Sequence, residues 1–239
     1  MNMNEMLFFV SIATNLIFTL FISRFGRAGL VALMTMSLIL ISVFGAKLIL
    51  IFGFTTNSGN IFYATIFLVN NILNEYYGRK VAYQSLGVSL FTLMLFLILG
   101  ELVARTVGLG QTEHVNRAIK VLFEGLPRIA LASMGAYLIS LSVNIFLYDL
   151  MYRKLKKQGI WMRNILSSGV GQFVDSLIFF TIAFTGTVGQ SVVIEIMFIG
   201  FLIKVGFAMV GTPIIYVAGR LLPQTDSRTL QEKSNGLVK

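Results

Sequence analysis

Seven apolar stretches, at roughly 6 to 23, 28 to 54, 60 to 74, 83 to 104, 129 to 151, 164 to 185 and 191 to 219, decide what this chain can become. A helix needs about 20 apolar residues to cross the hydrocarbon of a bilayer, within a range of about 17 to 25. Six of the stretches are long enough, and the third is short, which suits a tilted, broken or partly re-entrant helix. Hydrocarbon offers the backbone no hydrogen bonds, so segments of this kind cross it as helices. The expected fold is all-α, a polytopic transmembrane helix bundle with the lipid bilayer as its solvent.

Composition excludes most alternatives. Of 239 residues 56% are hydrophobic and 12% charged, with a mean hydropathy of +0.83, too little polar surface to cover a soluble globule. There is no cysteine, hence no disulfide, thiol nucleophile or cysteine metal site. The single histidine, His114, lies in the charged segment EHVNR and reads as a solvated residue. Zinc clusters and Ser/His/Asp hydrolysis therefore lack their parts. No metal, no cofactor and no catalytic group is expected, and the chain does not read as an enzyme.

The net charge of +9 gathers in the connections, which marks orientation in a membrane rather than a nucleic-acid partner. Arg24 and Arg27 follow the first stretch, Arg79 and Lys80 the third, Arg153, Lys154, Lys156 and Lys157 the fifth, and Arg220, Arg228 and Lys233 the last. If all seven stretches cross, these four connections share one face, and lysine and arginine beside spans are retained in the cytoplasm. The connections near TTNSGN and GTVGQ carry neither residue. A multi-pass protein of the cell (inner) membrane with a cytoplasmic C terminus is expected. The segment from Arg105 to Arg128 is long enough for an amphipathic surface helix, and Trp161 reads as an interfacial anchor. MNMNEM lacks a positive n-region, so the first stretch is expected to be retained as a helix. Residues 1–222 are expected to form the transmembrane domain and 223–239 a polar, disordered tail.

Polar residues inside the spans recur at helical spacing. In the sixth stretch Asn164, Ser168, Gly171, Gln172, Asp175 and Ser176 fall on one face. In the fifth, Ser133, Tyr137, Ser140, Asn144 and Tyr148 do so, and in the third Tyr63, Phe67, Asn70, Asn74 and Tyr77, flanked by Asn71 and Glu75. Serine, glycine and asparagine also glue helices together at about 0.6 kcal/mol per hydrogen bond, so packing explains many of them singly. Asp175 and Lys204 are different, because an ionisable group at the centre of a span costs at least about 2.5–3.5 kcal/mol. Such groups persist facing a polar cavity or a partner. Two readings stay open, a direct role in carrying a polar solute and a structural Asp175–Lys204 pair. A carrier needs water and solute to reach them, and a pair sealed in dry protein would count against one. Lys47, late in the second stretch, is expected to snorkel to the interface, and Glu195 to lie there too.

The segments IFYATIFLVNNILNEYYGRKVA, RIALASMGAYLISLSVNIFLYDLMYRKLKK, WMRNILSSGVGQFVDSLIFFTIAFTG and FLIKVGFAMVGTPIIYVAGRL resemble successive blocks of the queuosine precursor transporter family, also called vitamin uptake transporters. The resemblance runs from about Ser42 to Leu221. It implies uptake of a small-molecule deazaguanine-type substrate, the cyano or aminomethyl precursor of queuosine or queuine itself. The core it implies has six helices, with one extra N-terminal helix here. Family positions fall on Asn70, Asn71, Asn74, Glu75, Tyr77 and Gly78, on Arg128, Asn144, Asp175 and Lys204; two family aspartates are asparagines here, Asn71 and Asn144. An amide offers one acceptor and one donor group where a carboxylate accepts only. Asp175 is then expected to read the base edge, with Gln172, Asn144, Asn71, Asn74, Glu75, Arg128 and Lys204 around it and Tyr63, Phe67 or Tyr137 as stacking faces. A homodimer is compatible with these features. Two other readings are a substrate-binding subunit of an energy-coupling-factor system, for which Ala28 and Ala32 would supply a docking AxxxA, and a nontransporting membrane scaffold.

Overall fold

A computed structural model describes residues 2–45, 47–124, 126–155, 159–184 and 189–223. The helices are α1 (Met3–Ser23), α2 (Gly26–Phe44), α3 (Asn60–Tyr77), α4 (Arg79–Ala104), α5 (Glu113–Glu124), α6 (Leu126–Leu155), α7 (Ile160–Phe184) and α8 (Gln190–Leu221), with a hairpin of β1 (Leu48–Ile51) and β2 (Phe54–Asn57) before α3. Among the described residues six helices, α1, α2, α4, α6, α7 and α8, are long and apolar enough to cross a membrane. Together with α3 they make a bundle of seven long helices in which α1 is peripheral. The polar tail expected beyond residue 223, with Arg228 and Lys233, lies outside the described residues, as do Lys156 and Lys157.

The third stretch is neither broken nor re-entrant. It forms one unbroken helix of 18 residues at the centre of the bundle, in which every residue except Phe62 and Tyr76 is buried. Its polar residues survive there because the surrounding helices, not lipid, contact them. Gly78 ends α3 and starts α4 at φ 87° and ψ 168°, a backbone region nearly reserved for glycine.

The second stretch departs from expectation. Rather than running on to residue 54 as helix, it stops at Phe44, and LILIFGF folds back as an antiparallel hairpin pairing Leu48 with Asn57 and Ile51 with Phe54. Phe52 and Gly53 make the two-residue turn with φ 50° and 83°, the positive pair that matches strand twist. Ile51 packs on Phe8 and Ile61, while the Phe52 N–H donates to Glu5 and the Thr55 N–H to Glu195, each at 3.3 Å. Lys47 is exposed between α2 and the hairpin, and Glu195 is exposed at the start of α8.

The described connections with Arg24, Arg79 and Arg220 come together at one end of the bundle, while Arg105, Arg117 and Lys120 follow the far end of α4, the exception to the charge pattern. A Cβ on Gly26 would meet the Tyr77 hydroxyl at 3.2 Å and the Pro223 ring at 3.3 Å, so the starts or ends of α2, α3 and α8 converge. Arg79 reaches over Phe146 of α6 at 5.5 Å, which brings the basic end of α6 to the same place. The hairpin closes the opposite end. The expected surface helix is α5, whose Phe123 packs against Phe96, Ala104 and Gly100 of α4, leaving His114 and Arg117 exposed.

Candidate functional site

Helix α3 carries the polar stripe into the bundle, and α6, α7 and α8 bring theirs against it. Near the hairpin end, Lys204 Nζ of α8 lies 2.8 Å from Asp175 Oδ2 of α7, with the two side chains 3% and 2% exposed. The Tyr63 hydroxyl of α3 donates to Asp175 Oδ1 and also lies 3.4 Å from Ser140 Oγ. Lys204 sits over the Tyr63 ring at 4.4 Å, and the Phe67 ring follows Tyr63 at 5.6 Å. Each charge is thus compensated twice: both by each other, Asp175 also by a hydroxyl and Lys204 also by a ring face.

The pair is sealed among side chains and bonded to itself, which is the structural Asp175–Lys204 pair that the sequence left open and the arrangement that counts against direct access by a solute. It borders a cavity of about 20 Å³ lined by Asn57, Asn60, Ser133, Tyr63, Phe179 and the hairpin-end glycines Gly45 and Gly59. That is room for about one water molecule. A purine-sized base does not fit there.

Below it, toward the basic end, lies an amide layer. Asn71 Nδ2 donates to Asn164 Oδ1 at 2.6 Å and Ser168 Oγ at 2.8 Å, and Asn144 Nδ2 donates to Asn71 Oδ1 at 2.8 Å. Asn164 Nδ2 donates onward to the Ala208 carbonyl and to Thr212, and Asn74 Nδ2 to the Ile145 carbonyl. This chain ties α6, α3, α7 and α8 together. Asn71 uses both its donor and acceptor sides, which aspartate could not. Beside it, Asn70 and Gln172 bury both polar atoms of their carboxamides without a hydrogen-bond partner among the described residues. Each unsatisfied buried group costs about 1–3 kcal/mol, so these two carboxamides do not stabilise the bundle as they stand.

A second charged centre follows at the basic end. Arg163 Nη2 of α7 bridges Glu75 Oε1 and Oε2 at 2.8 and 2.9 Å, the Tyr148 hydroxyl donates to Glu75 Oε2 at 3.0 Å, and the rings of Tyr148 and Tyr152 flank the guanidinium at 5.8 and 5.2 Å. The structure therefore distributes the expected site residues. Asp175, Lys204, Tyr63 and Phe67 form one centre, Asn71, Asn74, Asn144 and Gln172 lie in the amide layer, and Glu75 belongs to the other end. Tyr137 is buried in α6. Arg128 falls in the first turn of α6, and its side chain lies outside the described residues. Arg163 is the residue that sequence reasoning missed. Its signal is the step of four through Arg163, Ser167, Gly171 and Asp175. Asp149, also buried, was missed too; it pairs with exposed Arg153.

A bundle of helices long and apolar enough to cross a membrane, with two buried ion pairs inside it, has the make-up of a multi-pass membrane protein. The chain belongs to the vitamin uptake transporter family: the family model described as "Putative vitamin uptake transporter" matches residues 57–218, from the end of the hairpin through α8. It is 29% identical over 226 residues to the "Probable queuosine precursor transporter" of Bacillus subtilis (strain 168), covering 93% of this chain and 97% of that one. No solved structure matches.

Proposed function

We propose that this protein imports a 7-deazaguanine base, a precursor of queuosine or queuine, and that the base is read at Asp175. Support comes from the family, from the name of the Bacillus subtilis relative, and above all from one observation: a buried carboxylate lies one helical turn from Gln172, whose carboxamide lacks a partner among the described residues. A guanine-like edge offers adjacent N–H donors to a carboxylate, and its carbonyl and remaining N–H groups match amides such as Gln172 and Asn70. In the closed state Lys204 and the Tyr63 hydroxyl occupy Asp175. Binding replaces them, and the released ammonium stays over the Tyr63 ring or turns to the carbonyl of the base. The face that holds Arg24, Arg79, Arg153 and Arg220 is the cytoplasmic one, as is the C terminus, and the protein acts as a carrier without catalysis. One protomer holds the whole site, so a homodimer is not required for it.

Equilibrium binding of the cyano and aminomethyl bases, queuine and guanine to purified protein tests this reading. At least one deazaguanine should bind, and Asp175→Ala should weaken it by at least about tenfold, the equivalent of one hydrogen bond to a charged group at about 1.5–3 kcal/mol. Unchanged affinity in that variant, or no binding across the panel, rejects the assignment.

A further inference from the structure

The Asp175 centre leaves Arg163 unexplained. Arg163 heads the largest fully buried side chains among the described residues and touches neither Asp175 nor Lys204. Burying an arginine this completely is unusual even when paired, and nothing about reading a base near the hairpin requires it.

Its position along the fold supplies the reason. Tyr63 of α3 meets Asp175 of α7, the Phe67 ring would lie 2.8 Å from a Cβ on Gly171, and Glu75 meets Arg163. Rising numbers on α3 meet falling numbers on α7, so the two helices run antiparallel with an ion-paired cluster at each end of their seam. The clusters are twelve residues apart on both helices, about 18 Å at 1.5 Å per residue. Helix α7 packs its backbone mainly on α6 and α8 and reaches α3 through long side chains. The α3–α7 seam is consequently where the bundle can part without breaking a close helix interface. The amide layer with the unpartnered Asn70 and Gln172 lies between its two ends.

We propose that Arg163 is the lock of a second gate: its bridge to Glu75 closes the solute path along the α3–α7 seam on the face that carries Arg79 and Lys80, and it breaks whenever the path opens there. The chemistry suits a two-state device. In a dry seam the two charges attract strongly, and once water enters the attraction collapses and each charge is solvated, so closed and open arrangements are each self-consistent while intermediates are not. Tyr148 and Tyr152 serve the closed state, one by donating to Glu75 and both by flanking the guanidinium. The Asp175–Lys204–Tyr63 cluster beneath the hairpin closes the other end. Arg163 is a positioning residue in this scheme and does not touch the base. The proposal rests on the transport reading but not on which solute is carried.

The chain has no cysteine, so a single thiol can report on the seam. Ser167 is buried one helical turn from both Arg163 and Gly171. Ser167→Cys, placed in right-side-out and inside-out vesicles, is treated with a membrane-impermeant charged methanethiosulfonate. Alone it should react slowly from either face. Adding Glu75→Gln should raise the rate by about tenfold or more from the Arg79/Lys80 face only, as expected for a shift toward a minor open state. A rate unchanged from that face, or raised equally from both, overturns the proposal. If Glu75→Gln does not reach the membrane, Glu75→Gln combined with Arg163→Met leaves no unpaired charge and carries the same two outcomes. No solute is used, so sided opening in a protein that binds no deazaguanine would reject the substrate while keeping the gate.

Discussion

Arg163 and Asp175 are both buried charges on α7, yet their removal should have different consequences. Arg163→Ala removes the guanidinium that bridges Glu75 and opens a large hole, and breaking a buried pair from one side costs about 3–5 kcal/mol. Thermal unfolding in detergent should show a lowered midpoint for Arg163→Ala and recovery of most of the loss when Glu75→Gln and Arg163→Met are combined; equal loss in both proteins would show that the pair is not the reason. Asp175 and Lys204 were legible in the sequence because they sit mid-span, where the cost of a charge demands an explanation. Arg163 was not. It is the fourth residue of α7, close to Trp161 and the basic connection, where snorkelling to the interface accounts for an arginine without invoking burial. The choice between solvent and core depends on where Glu75 of α3 and Tyr152 of α6 sit, which is tertiary information. The unpartnered state of Asn70 and Gln172 is equally invisible in a sequence, since the spacing that places an amide on a wet face says nothing about whether it finds a partner.

Among the elements, α3 and the hairpin show what periodicity does and does not carry. Spacings of four and three through Tyr63, Phe67, Asn70, Asn74 and Tyr77 identified a polar face, and the structure sets Tyr63, Phe67 and Asn74 of it against α6 and α7, while Tyr77 turns to the start of α2. The remaining faces are buried as well, by α2, α4 and α8, so the short helix needs less apolar surface than a lipid-facing span. The hairpin was read as helix because LILIFGF continues the apolar run of α2, and a short apolar run has no period that separates strand from helix. What decides it is the Phe52-Gly53 turn with the anchors Glu5 and Glu195, two carboxylates from helices far apart in the chain. The close packing of α7 on α6, with the Phe67 ring of α3 against it, has its own test. A Cβ at Gly171 would lie 2.8 Å from the Phe67 ring and 3.0 Å from both the Asn144 Cβ and the Ser140 carbonyl. Gly171→Leu should therefore destabilise by about 1–3 kcal/mol through overpacking, seen as a lower unfolding midpoint; a wild-type midpoint would mean that α6 and α7 do not approach this closely.

At the scale of the whole molecule, the charge distribution alone sorted the connections other than the one that follows α4, and the convergence of Gly26, Tyr77 and Pro223 with the Arg79–Phe146 contact places those with Arg24, Arg79 and Arg220 at one end of the bundle. The opposite end is closed by the hairpin over a cavity of about 20 Å³ beside Asp175 and Lys204. Under the proposed reading the protein alternates between openings at its two ends and needs no second protein to do so, where a substrate-binding subunit would depend on an ATPase and a coupling partner. Reconstitution decides the matter most directly. The purified protein, alone in liposomes, is given labelled deazaguanine base outside, and label in the lumen is followed with time. Saturable uptake that is lost in Asp175→Asn at equal protein content is the expected result; no uptake without added partner proteins, or full uptake by Asp175→Asn, would contradict it.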